Sequence, residues 1–437
     1  MDPPLSTPVI EIEEPLRAAP RVIPSLRSNF AWTFVGNVLY AGCQWGMLSV
    51  LAKLGSPSIV GQFTLGLAIC APVFMFTNLQ LRVVQATDVN AECGFAHYFT
   101  LRLMATLIGL MAIAALLPFA VDSSPIRLVV LLVAVTKCVE CMSDVTAGLL
   151  QREERLKRVA ISLMIRGCGS VLVFSLTFAY FRNLALSVVA MSIVWLAVLL
   201  LYDVPNARAL VGRHESFFRF NRGELWRLAM LGLPLGWVAT LGSLNANIPR
   251  YFLQHYLGLA EQGIYASLAY LMIAIGLIVY ALIQSVTTRL ARMFAEGEIK
   301  GFVRLLTRLC MLGVLMSAIG VPLALVVGKP LLTALYRPDY AGHVDLLAIL
   351  MGASGVTTIG AFLYCGMNAA RLFRQQVPVY LAASFACVAG SAIFIPRYGL
   401  VGAGYAVLLS ATAIVVAGFI AMRSALKARA AMANQGA

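Results

Sequence analysis

The sequence predicts an all-α integral membrane protein: twelve transmembrane helices in two six-helix lobes related by an internal repeat. Three observations carry this. The chain of 437 residues is 60% hydrophobic and only 12% charged, where a soluble domain is about 45–50% apolar and about 25% charged. Twelve apolar runs approach the length that crosses hydrocarbon, about 20 residues. Segments of the first half recur, in order, in the second.

Residues 1–29 come first. They are polar, carry Pro3, Pro4, Pro8, Pro15, Pro20 and Pro24 with Glu11, Glu13 and Glu14, and lack the apolar core and cleavage site of a signal peptide. They read as a disordered cytoplasmic tail. The spans come next, at roughly 30–51, 58–79, 98–120, 126–150, 158–180 and 183–202, then 226–247, 262–286, 305–327, 343–367, 376–395 and 398–421. Hence 30–202 forms an N-lobe and 226–421 a C-lobe. Residues 203–225 form a cytoplasmic inter-lobe loop, and 422–437 a cytoplasmic C-terminal tail. Pro72, Pro234 and Pro322 are expected to kink or locally unwind spans 2, 7 and 9.

Orientation is set by the basic residues. With the N-terminus inside, 23 of the 33 Lys and Arg fall on the cytoplasmic side, 7 on the other, and Arg102, Lys137 and Arg166 within spans. Both termini are therefore expected in the cytoplasm. The formal charge of +14 does not point to nucleic acid, because it is spread over short loops between apolar runs.

The repeat rests on three matches. "LGSPSIVGQFTLGLAICAP" (54–72) resembles "LGLAEQGIYASLAYLMIAI" (257–275) when Gly61 is set against Gly263. Thr33, Asn37, Tyr40 and Gln44 in span 1 have the spacing of Gly236, Thr240, Ser243 and Asn247 in span 7, so each set lies along one helix face. "RLKR" (155–158) opens span 5 and "RLFR" (371–374) opens span 11. Two like halves in the same orientation are a transporter architecture, with polar stripes turned toward a path between them.

"TKCVECMSD" (136–144) in span 4 holds a C-x-x-C and three charges. At about 100° per residue Lys137, Glu140, Cys141 and Asp144 share one face while Cys138 points away. The two thiols do not converge, there is no second C-x-x-C, and the four histidines lie in or beside loops. Neither a zinc site nor a thioredoxin-like motif is expected, and no cofactor or metal. The charges each cost about 2.5–3.5 kcal/mol near a helix centre, so they face protein or water. Lys137 and Glu140 can pair at i,i+3. Asp144 keeps its charge unless it meets Arg166 or binds a proton. Arg166 sits in a polar stripe of span 5 with Ser162 and Ser170. The plainer alternative is a salt-bridge network that only fastens spans 4 and 5. Arg250, after "LNANIP", is either a snorkelling anchor or an anion contact. The cavity candidates are Lys137, Glu140, Asp144, Arg166, Arg250, Asn37, Gln44 and Asn247.

The stretch "LGLPLGWVATLGSLNANIPRYFLQHYLGLAEQGIYASLAYL" (231–271) resembles the second-half signature of bacterial oligosaccharide flippases of the Wzx type, in the MOP superfamily. "YRPDYA" (336–341), "GMNAARLFRQQVP" (366–378) and "KCVECMSDVTAGLLQREERLKRVAISLMIRG" (137–167) are similar to other stretches of that family. The resemblance spans about 30–421. It implies a MOP-type fold of two lobes around a central cavity. The implied function is transfer of sugars on an undecaprenyl pyrophosphate carrier from the inner to the outer leaflet of the bacterial cytoplasmic membrane, in surface polysaccharide synthesis. Arg or Lys in such a cavity would give charge-assisted hydrogen bonds to the diphosphate. The partners expected are the lipid-linked oligosaccharide, the bilayer, a polysaccharide polymerase and export machinery. A peptidoglycan-precursor flippase and a MATE-like exporter are the alternatives within the superfamily. A membrane glycosyltransferase or polymerase is the alternative from outside it, disfavoured by the short external loops.

Overall fold

The structure, a computed structural model, describes residues 26–88, 93–211, 216–370 and 372–435. All but a few of the described residues are helical, and there is no strand among them. Twelve long helices succeed one another. In the first half they are α1 (Leu26–Leu54), α2 (Pro57–Thr77), α3 (Phe95–Ala120), α4 (Ser124–Arg152), α5 (Leu156–Phe181) and α6 (Leu184–Val198). In the second half they are α7 (Arg222–Tyr256), α8 (Leu259–Ala295), α9 (Ile299–Leu335), α10 (Val344–Ala369), α11 (Phe373–Tyr398) and α12 (Leu400–Gln435). A two-turn helix, Leu81–Thr87, comes after α2, and a 3-10 turn, Pro338–His343, after α9. Each predicted span coincides with one long helix. Most of the predicted N-terminal tail, and Arg371 of the second "RLFR" segment, lie outside the described residues.

Eleven of these helices are long and apolar enough to cross a membrane. The exception is α4. Its 29 residues reach about 43 Å, ample for a bilayer, but Lys137, Glu140 and Asp144 lower its hydropathy. It packs against α2, α3, α5 and α6, with Val129, Val130, Val133 and Ala134 buried in the core. Elsewhere large apolar side chains face outward, such as Phe119 at 89% exposure and Val326 at 78%. In water that would be an aggregation surface; in a bilayer it is the lipid-facing coat.

The two halves repeat the same pattern of helix contacts. The pairs α1–α5, α2–α4, α3–α4, α4–α6 and α5–α6 of the first half reappear as α7–α11, α8–α10, α9–α10, α10–α12 and α11–α12 in the second. The residues matched in the repeat meet each other where the halves cross. An added Cβ on Gly61 would lie 1.9 Å from the Leu259 carbonyl oxygen, and one on Gly263 would lie 2.0 Å from that of Pro57. Glycine is required at both positions by this close approach. Beside the crossing, Thr64 and Gln262 hydrogen-bond through their side chains at 3.2–3.3 Å.

This crossing lies at the end of the bundle where α1 turns into α2. The loop after α9 closes the same end. Trp45 Nε1 donates to the Tyr336 hydroxyl (3.1 Å), which donates to the Ser267 carbonyl (2.9 Å), and Arg337 Nη1 donates to the Gly55 carbonyl (2.6 Å). Burial pushes the Tyr336 phenol up to about 12, so it remains a donor at neutral pH.

The two seams between the halves differ. Along α2–α7 the helices touch closely: Gly232 lies under the Leu79 carbonyl, Gly236 under that of Phe76, and Phe76 meets Trp237 edge-on at 5.1 Å. The chain joining the halves is fastened near this seam. Phe217 packs on Phe95 and Phe99, and the Arg219 amide donates to Thr100 Oγ1 at 3.0 Å. Along α1–α8 there is instead an apolar cleft of about 530 Å3, lined by Phe34, Val38, Trp45, Leu271 and Ile278 among others.

Three sequence expectations need correction. Span 6 does not end at 202: after α6 a π-helical turn, Leu199–Asp203, leads into a further helix, Val204–Val211. Asp203 reads as the polar start of a loop but is buried, so the helix continues through it. The helix of span 12 likewise runs on to Gln435 rather than ending at 421, because backbone hydrogen bonding continues where hydropathy falls. Of the two outcomes expected at Pro72, Pro234 and Pro322, a kink or local unwinding, the unwinding does not occur, since each sits inside a continuous helix.

Candidate functional site

The first half encloses a small polar cavity at the centre of the bundle, about 170 Å3, to which α1, α2, α4, α6 and α8 contribute. On α4, Lys137 Nζ and Glu140 Oε2 form an ion pair at 2.5 Å on its wall. The i,i+3 spacing makes this possible within one helix turn, and each side chain is about 30% exposed to the cavity. Gln44 and Tyr40 of α1 face them, together with Trp195 of α6 and Tyr270 of α8. Of the predicted residues, Gln44, Lys137 and Glu140 are therefore brought together.

Arg166 is next to this cavity. It is 5% exposed, and its guanidinium lies 5.5 Å from the centroid of the Trp195 ring, a cation–π arrangement. Trp195 is held by its Nε1–H to Ser170 Oγ at 2.6 Å, so the polar stripe of α5 orients the ring that Arg166 rests on. On the other side, Arg166 acts electrostatically on Asp203, the residue the π turn brings inward.

Asp144 goes elsewhere. It does not meet Arg166. Its two carboxylate oxygens pair with Arg82 at 3.2 Å and with Arg102 at 3.0 Å. Arg102 is wholly buried, and also donates to the Asn78 carbonyl at 3.0 Å. Arg82 also donates to Gln151 at 3.0 Å. One carboxylate between two guanidiniums has its charge fully met, so the uncompensated negative charge expected at 144 does not exist. Arg102 reads in sequence as a stray cation in an apolar run, and Arg82 as a loop residue. Only the packing of α3 and the Leu81–Thr87 helix against α4 shows that they share a partner.

In the second half, Arg250 Nη1 donates to Asn247 Oδ1 at 3.1 Å, and Asn247 Nδ2 to the Ser243 carbonyl at 2.8 Å. Tyr270 links them to the cavity: it lines the wall and feels the charges of Arg250, Lys137 and Glu140 together. Asn37 is apart, exposed on α1, with its amide donating to the Thr33 carbonyl at 2.7 Å. Within the spans and the π turn Arg102, Lys137, Arg166 and Arg250 stand beside Glu140, Asp144 and Asp203, and Arg82 reaches Asp144 from the short helix after α2. Among the described residues no three His, Cys, Asp or Glu side chains come together as a metal site would need.

No protein-family model matches the chain. A capsular polysaccharide biosynthesis protein, CapF, of Staphylococcus aureus is 26% identical over 385 residues, 87% of this chain and 95% of that protein. Among solved structures, the lipid II flippase MurJ in an inward closed conformation superposes with a TM-score of 0.71 at 11% identity, over 91% of this chain and 87% of that one. An inward-facing multidrug resistance MATE transporter of the MOP superfamily gives 0.63 at 14% identity, over 94% and 96%. A MOP transporter from Pyrococcus furiosus, described as having a binding pocket of reverse polarity, gives 0.62 at 14% identity, over 92% and 94%. The chain is a multi-pass membrane protein with the MOP transporter fold. Its similarity to a polysaccharide biosynthesis protein along most of its length supports the resemblance to polysaccharide flippases.

Proposed function

We propose that a chain with this fold, this relative and this cavity is a flippase for oligosaccharide on an undecaprenyl pyrophosphate carrier. It moves the lipid-linked unit from the inner to the outer leaflet of the bacterial cytoplasmic membrane by alternating access, with both termini in the cytoplasm, and carries out no covalent chemistry. The observation that carries the reading is a cavity walled by the Lys137–Glu140 pair, with Arg166 behind its Trp195 wall and Arg250 acting on Tyr270, beside an apolar cleft. A diphosphate and a row of sugar hydroxyls cannot cross hydrocarbon unaided. Lys137, Arg166 and Arg250 offer charge-assisted hydrogen bonds to the diphosphate, while Gln44, Tyr40 and Asn247 offer neutral partners to sugar. The polyprenyl tail stays in the bilayer through the α1–α8 cleft, whose lining is almost wholly apolar. The α2–α7 seam stays shut.

With α1 starting in the cytoplasm, the Gly61–Gly263 crossing and the Tyr336 hydrogen bonds lie at the outer end, and breaking them would open the path outward. A MATE-like exporter of cations would need a net acidic cavity, whereas the one acid on this wall, Glu140, is paired with Lys137. The decisive experiment is deletion of the gene in its own host. Surface polysaccharide is expected to disappear while lipid-linked units collect in the inner leaflet, reading the leaflet by accessibility to a membrane-impermeant glycosidase. Normal polysaccharide in a strain with no second flippase would refute the assignment. Loss of peptidoglycan synthesis instead would move the substrate to the cell-wall precursor.

A further inference from the structure

The π turn Leu199–Asp203 is the one stretch of the described spans that leaves regular α-helical geometry. Such turns concentrate at functional sites because the extra residue re-aims the side chains after it. Here it points Asp203 into the first half. Asp203 is 2% exposed, and its Oδ2 has no hydrogen-bond partner. The groups around it are incompletely satisfied. Arg166 Nε is buried without a partner, and Ser162 and Ser143 act on the carboxylate without forming a hydrogen bond of standard geometry. The other two acids of the interior are spoken for, Glu140 by Lys137 and Asp144 by Arg82 and Arg102. Asp203 alone among the three has no ion-pair partner among the described residues.

A buried polar cluster left open in this way is costly, so it persists where a ligand or a change of state closes it. The possible ligands narrow quickly. A sodium or calcium ion takes five or more oxygens, and one carboxylate with two hydroxyls beside a guanidinium supplies too few and repels a cation. A proton needs only Oδ2, which then becomes a donor. The groups that act on it come from three helices. From α5 come Arg166 and Ser162, from α4 comes Ser143, and on its own helix Tyr202, which in turn feels Arg158. Arg166 is the one cation among these acting on Asp203, and it is also the cation that rests on Trp195 at the cavity wall.

We propose that Asp203 is a proton-binding site coupled to the cavity through Arg166. An anion entering the cavity takes up the field of Arg166, and Asp203 Oδ2 gains a proton from water in its place. When the anion leaves, Arg166 returns to the carboxylate and the proton is released to water. No covalent bond to the substrate forms or breaks, and charge balances at each step. The coupling half of this inference rests on the flippase reading, because it requires an anionic headgroup; the site itself does not.

The test is infrared difference spectroscopy of the full chain in lipid nanodiscs, titrated with pH, with inorganic pyrophosphate as the headgroup probe. A protonated-carboxyl band is expected in the native protein, absent from Asp203→Asn, displaced in Asp203→Glu and retained in Asp144→Asn. Pyrophosphate should move its midpoint upward by about one pH unit, a tenfold gain in proton affinity, and should fail to move it in Arg166→Gln. A band unchanged in Asp203→Asn, or none in the native protein, overturns the site. A band that belongs to Asp203 yet ignores bound pyrophosphate overturns the coupling. Failure of pyrophosphate to bind at all counts against the flippase reading, while the assignment of the band still decides the site.

Discussion

Gly263→Ala is the smallest change that tests whether the α2–α8 crossing is the closure of one end of the bundle. The added methyl would stand 2.0 Å from the Pro57 carbonyl oxygen and 2.7 Å from the Gly61 amide nitrogen, both backbone atoms that cannot rotate away. A carbon and an oxygen rest near 3.3 Å, so the two helices must part by about 1.3 Å. Overpacking of this kind costs about 1–3 kcal/mol. Only the state with the crossing made bears that cost, so the closed-to-open ratio should fall by a factor of roughly 5 to 150. The assay is distance measurement by double electron–electron resonance between spin labels at Lys53 and Ala260, exposed residues beside the crossing on either half. Gly263→Ala should shift the distribution to longer distances, and Gly61→Ala should do the same from the other side. Gly276→Ala is the control, because nothing lies within 4 Å of its added methyl. Identical distributions for Gly263→Ala and the native protein would refute the argument that this crossing holds the end shut.

Further outcomes concern the charges and the orientation. Lys137→Glu with Glu140→Lys keeps the pair and its net charge. It should fold and insert but not transport if the cavity reads the position of each charge; recovered transport would mean the pair serves only to hold α4. Asp144→Asn leaves Arg102 buried without a counter-ion, so it should lose ~3 kcal/mol of stability, the low end for a broken buried pair since the carboxylate is 30% exposed. Thermal unfolding of Asp144→Asn beside Asp144→Leu with Arg102→Met would check this, the double variant regaining most of the loss. Reporter fusions after residues 216 and 437 should both read cytoplasmic, and an external signal at either would reverse the orientation.

The number and order of helices were legible because a span advertises itself locally: about twenty apolar residues need no knowledge of their neighbours. α4 was legible too, although its charges lower its hydropathy, because "IRLVVLLVAV" before them and "VTAGLL" after keep the run going. The hidden features were set by partners far along the chain. The match of Gly61 with Gly263 was readable as a repeat, but not that the two residues touch. The i,i+3 pair of Lys137 and Glu140 could be foreseen because one helix supplies both members. The pairing of Asp144 with Arg82 and Arg102 could not, because three helices supply them and sequence spacing carries no such information. Asp203 was missed for a different reason: an aspartate after "LLLY" has the signature of a helix leaving the membrane, and only the inward aim given by the π turn shows that it stays inside.

The α1–α8 cleft has a pharmacological consequence. Its volume of about 530 Å3 is that of a site for a drug-sized molecule, and its walls are apolar side chains of α1 and α8, which the proposed function opens to the bilayer. A compound that wedges there meets the protein from within the bilayer and not from water. Its potency will be the product of two quantities, its partition into the membrane and its fit to Phe34, Val38, Trp45 and Ile278. Ranking such compounds by concentration in the aqueous phase will therefore confuse good partitioners with good ligands. Correcting for partition should leave a structure–activity series that tracks the shape of the cleft.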